Sequence, residues 1–144
     1  MHSFQIFWPM LAVLSIPVVV ILVNAIRKSA DRKAGNNNPE QAINNKAWSL
    51  PVVLTSNSLE NQFQFPIVFY ALCFIILHID AVSMFALVLC WVYAGLRWVH
   101  AIVHISSNNI PMRFGSFLAS MIVLIALLGY TVGALAKTME SLPA

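Results

Sequence analysis

Four apolar stretches, residues 4–26, 57–79, 82–105 and 114–136, account for most of this 144-residue chain. As a helix rising about 1.5 Å per residue, each is long enough to cross the roughly 30 Å hydrocarbon layer of a bilayer. Within that layer the backbone must satisfy its own hydrogen bonds, which a helix does inside one segment. Composition agrees: the chain is 60% hydrophobic and 9% charged, whereas soluble domains carry about 25% charged residues. The predicted fold is an all-α membrane protein, one four-helix bundle spanning residues 1–144 with a polar loop at 27–56. The chain is too short to add a separate soluble domain.

The first stretch lacks a basic start and a small-residue cleavage site, so it reads as a retained span and not a signal peptide. Pro9 and Pro17 are expected to kink it. A tight turn near residues 78–81 makes the second and third stretches an antiparallel hairpin. The fourth carries Gly115-x-x-x-Ala119 and Gly129-x-x-x-Gly133, spacings that permit close helix approach within a bundle or between copies.

Basic residues are unevenly placed. The first loop holds Arg27, Lys28, Arg32, Lys33 and Lys46 against Asp31 and Glu40, and Arg113 follows the third. The second turn has neither Lys nor Arg. The positive-inside rule then places the first and third loops in the cytoplasm and both termini on the opposite side. In the first loop, Asn38-Pro39-Glu40 reads as a helix start and Pro51 as a later break, with the remainder polar enough to be mobile. No basic patch with interleaved aromatics points to nucleic acid. Cys73 and Cys90 both sit in apolar runs and read as small buried hydrophobes. The histidines lack the cysteine or carboxylate neighbours of a metal site.

Chemistry concentrates in the third span, where Arg97, His100 and His104 are spaced three and then four apart and share one helical face. An arginine roughly 10 Å inside a span is costly unless a polar group faces it, and such residues point to function. The start of the second span offers a matching arc of Asn57, Glu60, Asn61 and Gln64. Glu60 and Arg97 are the only acidic and basic residues within the four spans, histidines aside. Glu60 is therefore expected to approach Arg97 or Arg113, in one subunit or across an interface. One reading is an ion pair that merely holds the bundle. The other is a site for a small polyanion, because arginine grips carboxylates through a planar fork of donors. A transport path is disfavoured, since the far halves of these helices are almost wholly apolar.

The run Arg97-Trp-Val-His100-Ala-Ile-Val-His104, followed by Ile110-Pro111-Met112-Arg113, resembles the MAPEG family of membrane-associated proteins in eicosanoid and glutathione metabolism. The likeness is to its microsomal prostaglandin E synthase branch, and extends to Asn38-Pro39-Glu40-x-Ala42 and Phe65-Pro66. It implies a homotrimer of four-helix protomers in contact with membrane lipid, binding glutathione between subunits near the cytoplasmic face. On that resemblance Arg97 and Arg113 match arginines that hold glutathione carboxylates or steer its thiol, with Arg113 the catalytic one. His100 matches the motif histidine, and His104 stands where that branch has a tyrosine. Asn57 and Glu60 look like the family's Asn-x-x-Glu pair, with Gln62 or Gln64 as alternatives for the glutamate.

There are departures. Thr55, Ser56 and Ser58 fill the neighbourhood of a family arginine, Phe114 stands at a serine proposed to assist the thiolate, and Gln41 at a proposed catalytic aspartate. Prostaglandin isomerisation is therefore not expected. The resemblance implies a glutathione-dependent transferase or peroxidase acting on a lipophilic electrophile, or else a non-catalytic lipid- or thiol-binding protein.

Overall fold

The computed structural model describes residues 3–141, and every regular element among them is helical. A 3-10 turn (Ser3–Ile6) leads into α1 (Phe7–Lys33), which runs unbroken through Pro17. A connecting loop follows, then α2 (Leu50–Glu60), a 3-10 turn (Asn61–Phe63) and α3 (Phe65–His78), which together form one span. The last two helices are α4 (Met84–Ile105) and α5 (Ile110–Glu140). Four spans in all are long and apolar enough to cross a membrane, so the chain is an integral, multi-pass membrane protein.

The bundle is apolar outside and polar in several places inside. Leu14, Leu22, Phe85, Ile122 and Ile125 are all exposed, whereas Asn24, Thr55, Gln62, Arg97, Ser120 and Thr131 are buried. Lipid tails are as apolar as leucine, so outward-facing leucines cost nothing and packing within the bundle decides what goes inside. On α1 the buried residues Met10, Val13, Ile16, Val20 and Asn24 form a single stripe at three- and four-residue spacing. The first four meet Phe69, Cys73 and Ile76 of α3 and Cys90, Tyr93 and Ala94 of α4 in one core. Phe69 and Tyr93 stack with ring centroids 4.5 Å apart. Cys73 and Cys90 are free, buried thiols whose sulfurs lie 3.7 Å apart. α4 is the central helix, packed against α1, α2 and α5.

Helix ends follow local chemistry. Ser83 caps α4 by accepting from Ala86 N, and Asn109 caps α5 by accepting from Met112 N. Between α3 and α4 the chain turns through Asp80 at φ 52°, with Ala81 N donating to Ile76 O. That left-handed residue and its six-to-one hydrogen bond are a Schellman closure.

Several boundaries differ from expectation. Pro51 does not break the first loop; it occupies the first turn of α2, which begins at Leu50 and not at residue 57. Proline is welcome there because that N–H has no helical partner anyway. Pro111 does the same for α5, which starts at Ile110 and not at 114. Nothing lies within 4 Å of a Cβ built on Gly115, Gly129 or Gly133, so these glycines do not serve close packing within the protomer.

The loop at 34–49 is built rather than slack. Asn38 caps a 3-10 turn (Pro39–Ala42) by accepting from Glu40 N. Asp31 accepts from Asn36 Nδ2 and from Ser49 N, tying both ends of the loop to α1. Trp48, 8% exposed, donates to Gln41 O and lies 5.2 Å from Lys28 Nζ and 5.3 Å from the Arg32 guanidinium. Lys28 and Arg32 are four apart, so both cations flank one ring. Removing that ring in Trp48→Ala is expected to cost about 2 kcal/mol or more, confined to the loop. Limited proteolysis of detergent-purified protein should then cut within residues 34–49 roughly 30-fold faster. A cutting rate equal to wild type would mean that the tryptophan does not order the loop.

Candidate functional site

Pro66 starts the site. It lacks an N–H, so Gln62 O loses the donor that a continuous helix would supply four residues later. The α-helix stops at Glu60, tightens into the Asn61–Phe63 turn and resumes at Phe65, with Gln64 at φ −100° and ψ −103° between them. Backbone carbonyls freed at such a break inside a membrane must find other donors. Arg97 supplies one. Its Nη2 donates to Asn61 O at 2.9 Å and to Gln62 Oε1 at 3.2 Å. Gln62 Nε2 in turn donates to Ser58 O at 2.8 Å.

Arg97 is 1% exposed, the largest side chain sealed in the core. Its hydrogen bonds go to amide oxygens and not to Glu60, which corrects one of the two expected ion pairs. Glu60 is exposed and turns instead toward the cavity that holds Arg113. Arg97 thus holds the backbone of Asn61, whose side chain reaches His104.

That cavity, of about 430 Å³, lies between the α2 end, the last turns of α4 and the start of α5. Asn57, Glu60 and Asn61 form one wall, His100 and His104 the second, and Ile110, Arg113, Phe114 and Phe117 the third. Six of the eight residues singled out in the sequence line it. Arg97 is not in the lining, and Gln64 is exposed at the helix break outside it. Phe114 and Phe117, on the same helix as Arg113 and three apart, make the apolar side. Their i, i+3 spacing next to Arg113 was the available signal. Asn108 accepts from Arg113 Nη1 at 2.6 Å and steadies that guanidinium; a lone loop asparagine carries no such signal.

The histidines are held in different ways. His100 Nδ1 lies 3.0 Å from Arg113 O, and a carbonyl only accepts, so Nδ1 carries the proton and donates. His100 Nε2 is then a bare lone pair, and it is buried with no partner. Asn61 Nδ2 approaches His104 Nδ1 at 3.5 Å; with the amide donating, His104 carries its proton on Nε2. The two rings meet edge to face with centroids 5.8 Å apart.

All of this lies at the end of the bundle that carries the basic loop. Asn45 Nδ2 donates to Asn57 Oδ1 at 3.2 Å. Arg27 donates to Pro51 O and to Ile105 O, joining α1 to the start of α2 and the end of α4. The cavity thus offers one fixed cation, one carboxylate, amide groups and an aromatic side. No group of three or more His, Cys, Asp or Glu suited to a metal occurs among the described residues.

A family model described as the MAPEG family matches residues 6–133. No curated protein and no solved structure matches.

The clamp on the helix break has a measurable cost. Arg97→Leu strands Asn61 O and Gln62 Oε1 in the core, at about 1–3 kcal/mol for each buried unsatisfied group. Scanning fluorimetry should show a markedly lower melting temperature, and Arg97→Lys should recover part of it, because a single ammonium carries donors enough for both oxygens. Arg113→Leu, at a half-exposed position, should change melting much less. Equal melting of all three would deny Arg97 its structural role.

Proposed function

Because this chain belongs to the MAPEG family, we propose that its cavity binds glutathione and that the protein is a glutathione-dependent transferase or peroxidase acting on a lipophilic electrophile. The observation that carries the reading is the sharing of one cavity by Arg113 and Glu60. Glutathione bears two carboxylates and one ammonium, and needs both signs of charge. Asn57, Asn61 and His104 supply further polar contacts for its peptide groups. Ile110, Phe114 and Phe117 line the side where an apolar co-substrate would arrive from the bilayer.

Arg113 is the group that activates the thiol. It stands in the first turn of α5, so its charge adds to the positive end of the helix dipole. Opposite charge at short range favours the thiolate over the thiol. The thiolate then attacks the electrophile, and no protein nucleophile takes part. Arg97, which the family pattern made a ligand contact, acts here through Asn61 and the helix break.

The motif order supports a likeness to the microsomal prostaglandin E synthase branch. Prostaglandin isomerisation stays outside the proposal, because Phe114 stands where that branch has a serine. Phe114 is 61% exposed on the protomer and Glu60 is also exposed, which supports a homotrimer in which a neighbour completes the cavity. The basic loop at the same end supports a cytoplasmic site. A binding-only role is the second reading, favoured by a lining that carries no hydroxyl or thiol among the described residues.

Calorimetric titration of detergent-purified protein with glutathione tests the proposal. Wild type is expected to bind saturably, and Arg113→Ala to weaken binding about 10- to 100-fold through loss of a charge-assisted contact. No saturable binding by wild type overturns the glutathione reading. Binding without conjugation of a model electrophile or reduction of a hydroperoxide selects the binding-only role.

A further inference from the structure

We propose that His100 is the proton acceptor of this site, taking the thiol proton of bound glutathione on Nε2; the inference rests on the glutathione reading above. Arg113 accounts for the negative charge of a thiolate but gives the proton no destination. A guanidinium is already protonated and has no lone pair to offer.

The structure prepares His100 for that part. Its Nδ1–H is committed to Arg113 O at 3.0 Å, which leaves Nε2 as an acceptor. That atom is buried and unpartnered in a side chain that lines the cavity and is 4% exposed. Buried polar atoms are nearly always paired, so an orphaned acceptor on a side chain of the cavity lining points to a ligand that brings a donor. The ring is also fixed in place, with His104 edge-on at 5.8 Å and Phe117 at 6.0 Å. His104 does not share the role, because Asn61 occupies its Nδ1 lone pair and leaves an N–H on its other nitrogen.

The charged and titratable groups around His100 are Arg97 and His104 on its own helix, Arg113 on α5 and Glu60 at the end of α2. Two arginines oppose an imidazolium standing alone. A thiolate formed beside it reverses that balance, so proton transfer and anion formation support each other, as in cysteine–histidine ion pairs.

The proton is then used again. With a lipid hydroperoxide, the thiolate sulfur attacks the terminal oxygen, the O–O bond breaks, and the imidazolium returns its proton to the departing alkoxide. The products are an alcohol and glutathione sulfenic acid, which a second glutathione converts to the disulfide and water. With an epoxide, the sulfur–carbon bond forms as the carbon–oxygen bond opens, and the same proton quenches the alkoxide.

His100→Asn separates the base from the scaffold, since an asparagine amide can still donate to Arg113 O but has nothing in place of Nε2. The probes are glutathione and S-methylglutathione, which has no thiol proton. Both proteins are expected to bind S-methylglutathione alike. Bound glutathione should show the ultraviolet band of a thiolate in wild type and lose it in His100→Asn, with turnover falling about 10²-fold or more. A retained thiolate band in the variant, or none in wild type, overturns the proton-acceptor role and leaves the binding reading intact. Failure of wild type to bind either probe overturns both. If His100→Asn does not fold, His100→Gln, which likewise cannot take a proton, is measured in its place against the same outcomes.

Discussion

The arrangement of this bundle depends on a buried arginine held by amide oxygens. A full positive charge inside a membrane protein is tolerable only when its donors are met. Arg97 meets part of this need through Nη2 at the break before Pro66, while its Nε stays buried without a partner. Each side removes the other's penalty. The break without the arginine would leave Asn61 O bare, and the arginine without the break would face a wall of methyl groups. Because oxygen dipoles and not a carboxylate hold the guanidinium, its positive charge is not cancelled, and Glu60 is left free on the cavity wall.

Much of the fold was legible because the membrane allows few solutions. Runs of 23 or 24 apolar residues mean spanning helices, and the four spans agree. Periodicity also placed Arg97, His100 and His104 on one inward face, where all three are buried. What failed was Arg97's partner. The expected arc of Asn57, Glu60, Asn61 and Gln64 assumes an uninterrupted α-helix. A 3-10 turn advances about 120° per residue, not 100°, so residues beyond Asn61 are rotated out of that arc. Gln62 goes inward and Gln64 outward. Pro66 was in plain view, but its effect is felt at carbonyls four and five residues upstream.

The first loop was misread for a related reason. Its asparagines and charges look like solvated chain, and apart from the helix start at Asn38-Pro39-Glu40, which the structure shows as a capped turn, nothing local to residues 34–49 says otherwise. Order comes from α1, which continues past the apolar stretch to Lys33 and so presents Lys28, Asp31 and Arg32 to the loop. Polar sequence is mobile only if no neighbouring element offers it partners. The prolines repeat the lesson, since the same residue that breaks a helix in mid-run begins one in its first turn. Which role Pro51 takes depends on whether Leu50 onward has a bundle to pack against, and Val52 and Thr55 do.

Arg113 joins the two halves of the site through different atoms. Its guanidinium, steadied by Asn108, faces the cavity as the fixed cation, while its carbonyl fixes the tautomer of His100. The carbonyl belongs to the backbone in the first turn of α5, so any substitution at this position keeps it. The charge and the tautomer can therefore be removed one at a time, the first by changing Arg113 and the second only by changing His100. An arrangement in which one residue supplies the cation by side chain and orients the base by backbone also fixes their relative geometry. Sliding α5 along α4 would carry the guanidinium and the carbonyl together away from His100, so one motion would disturb the cation and the ring orientation at once.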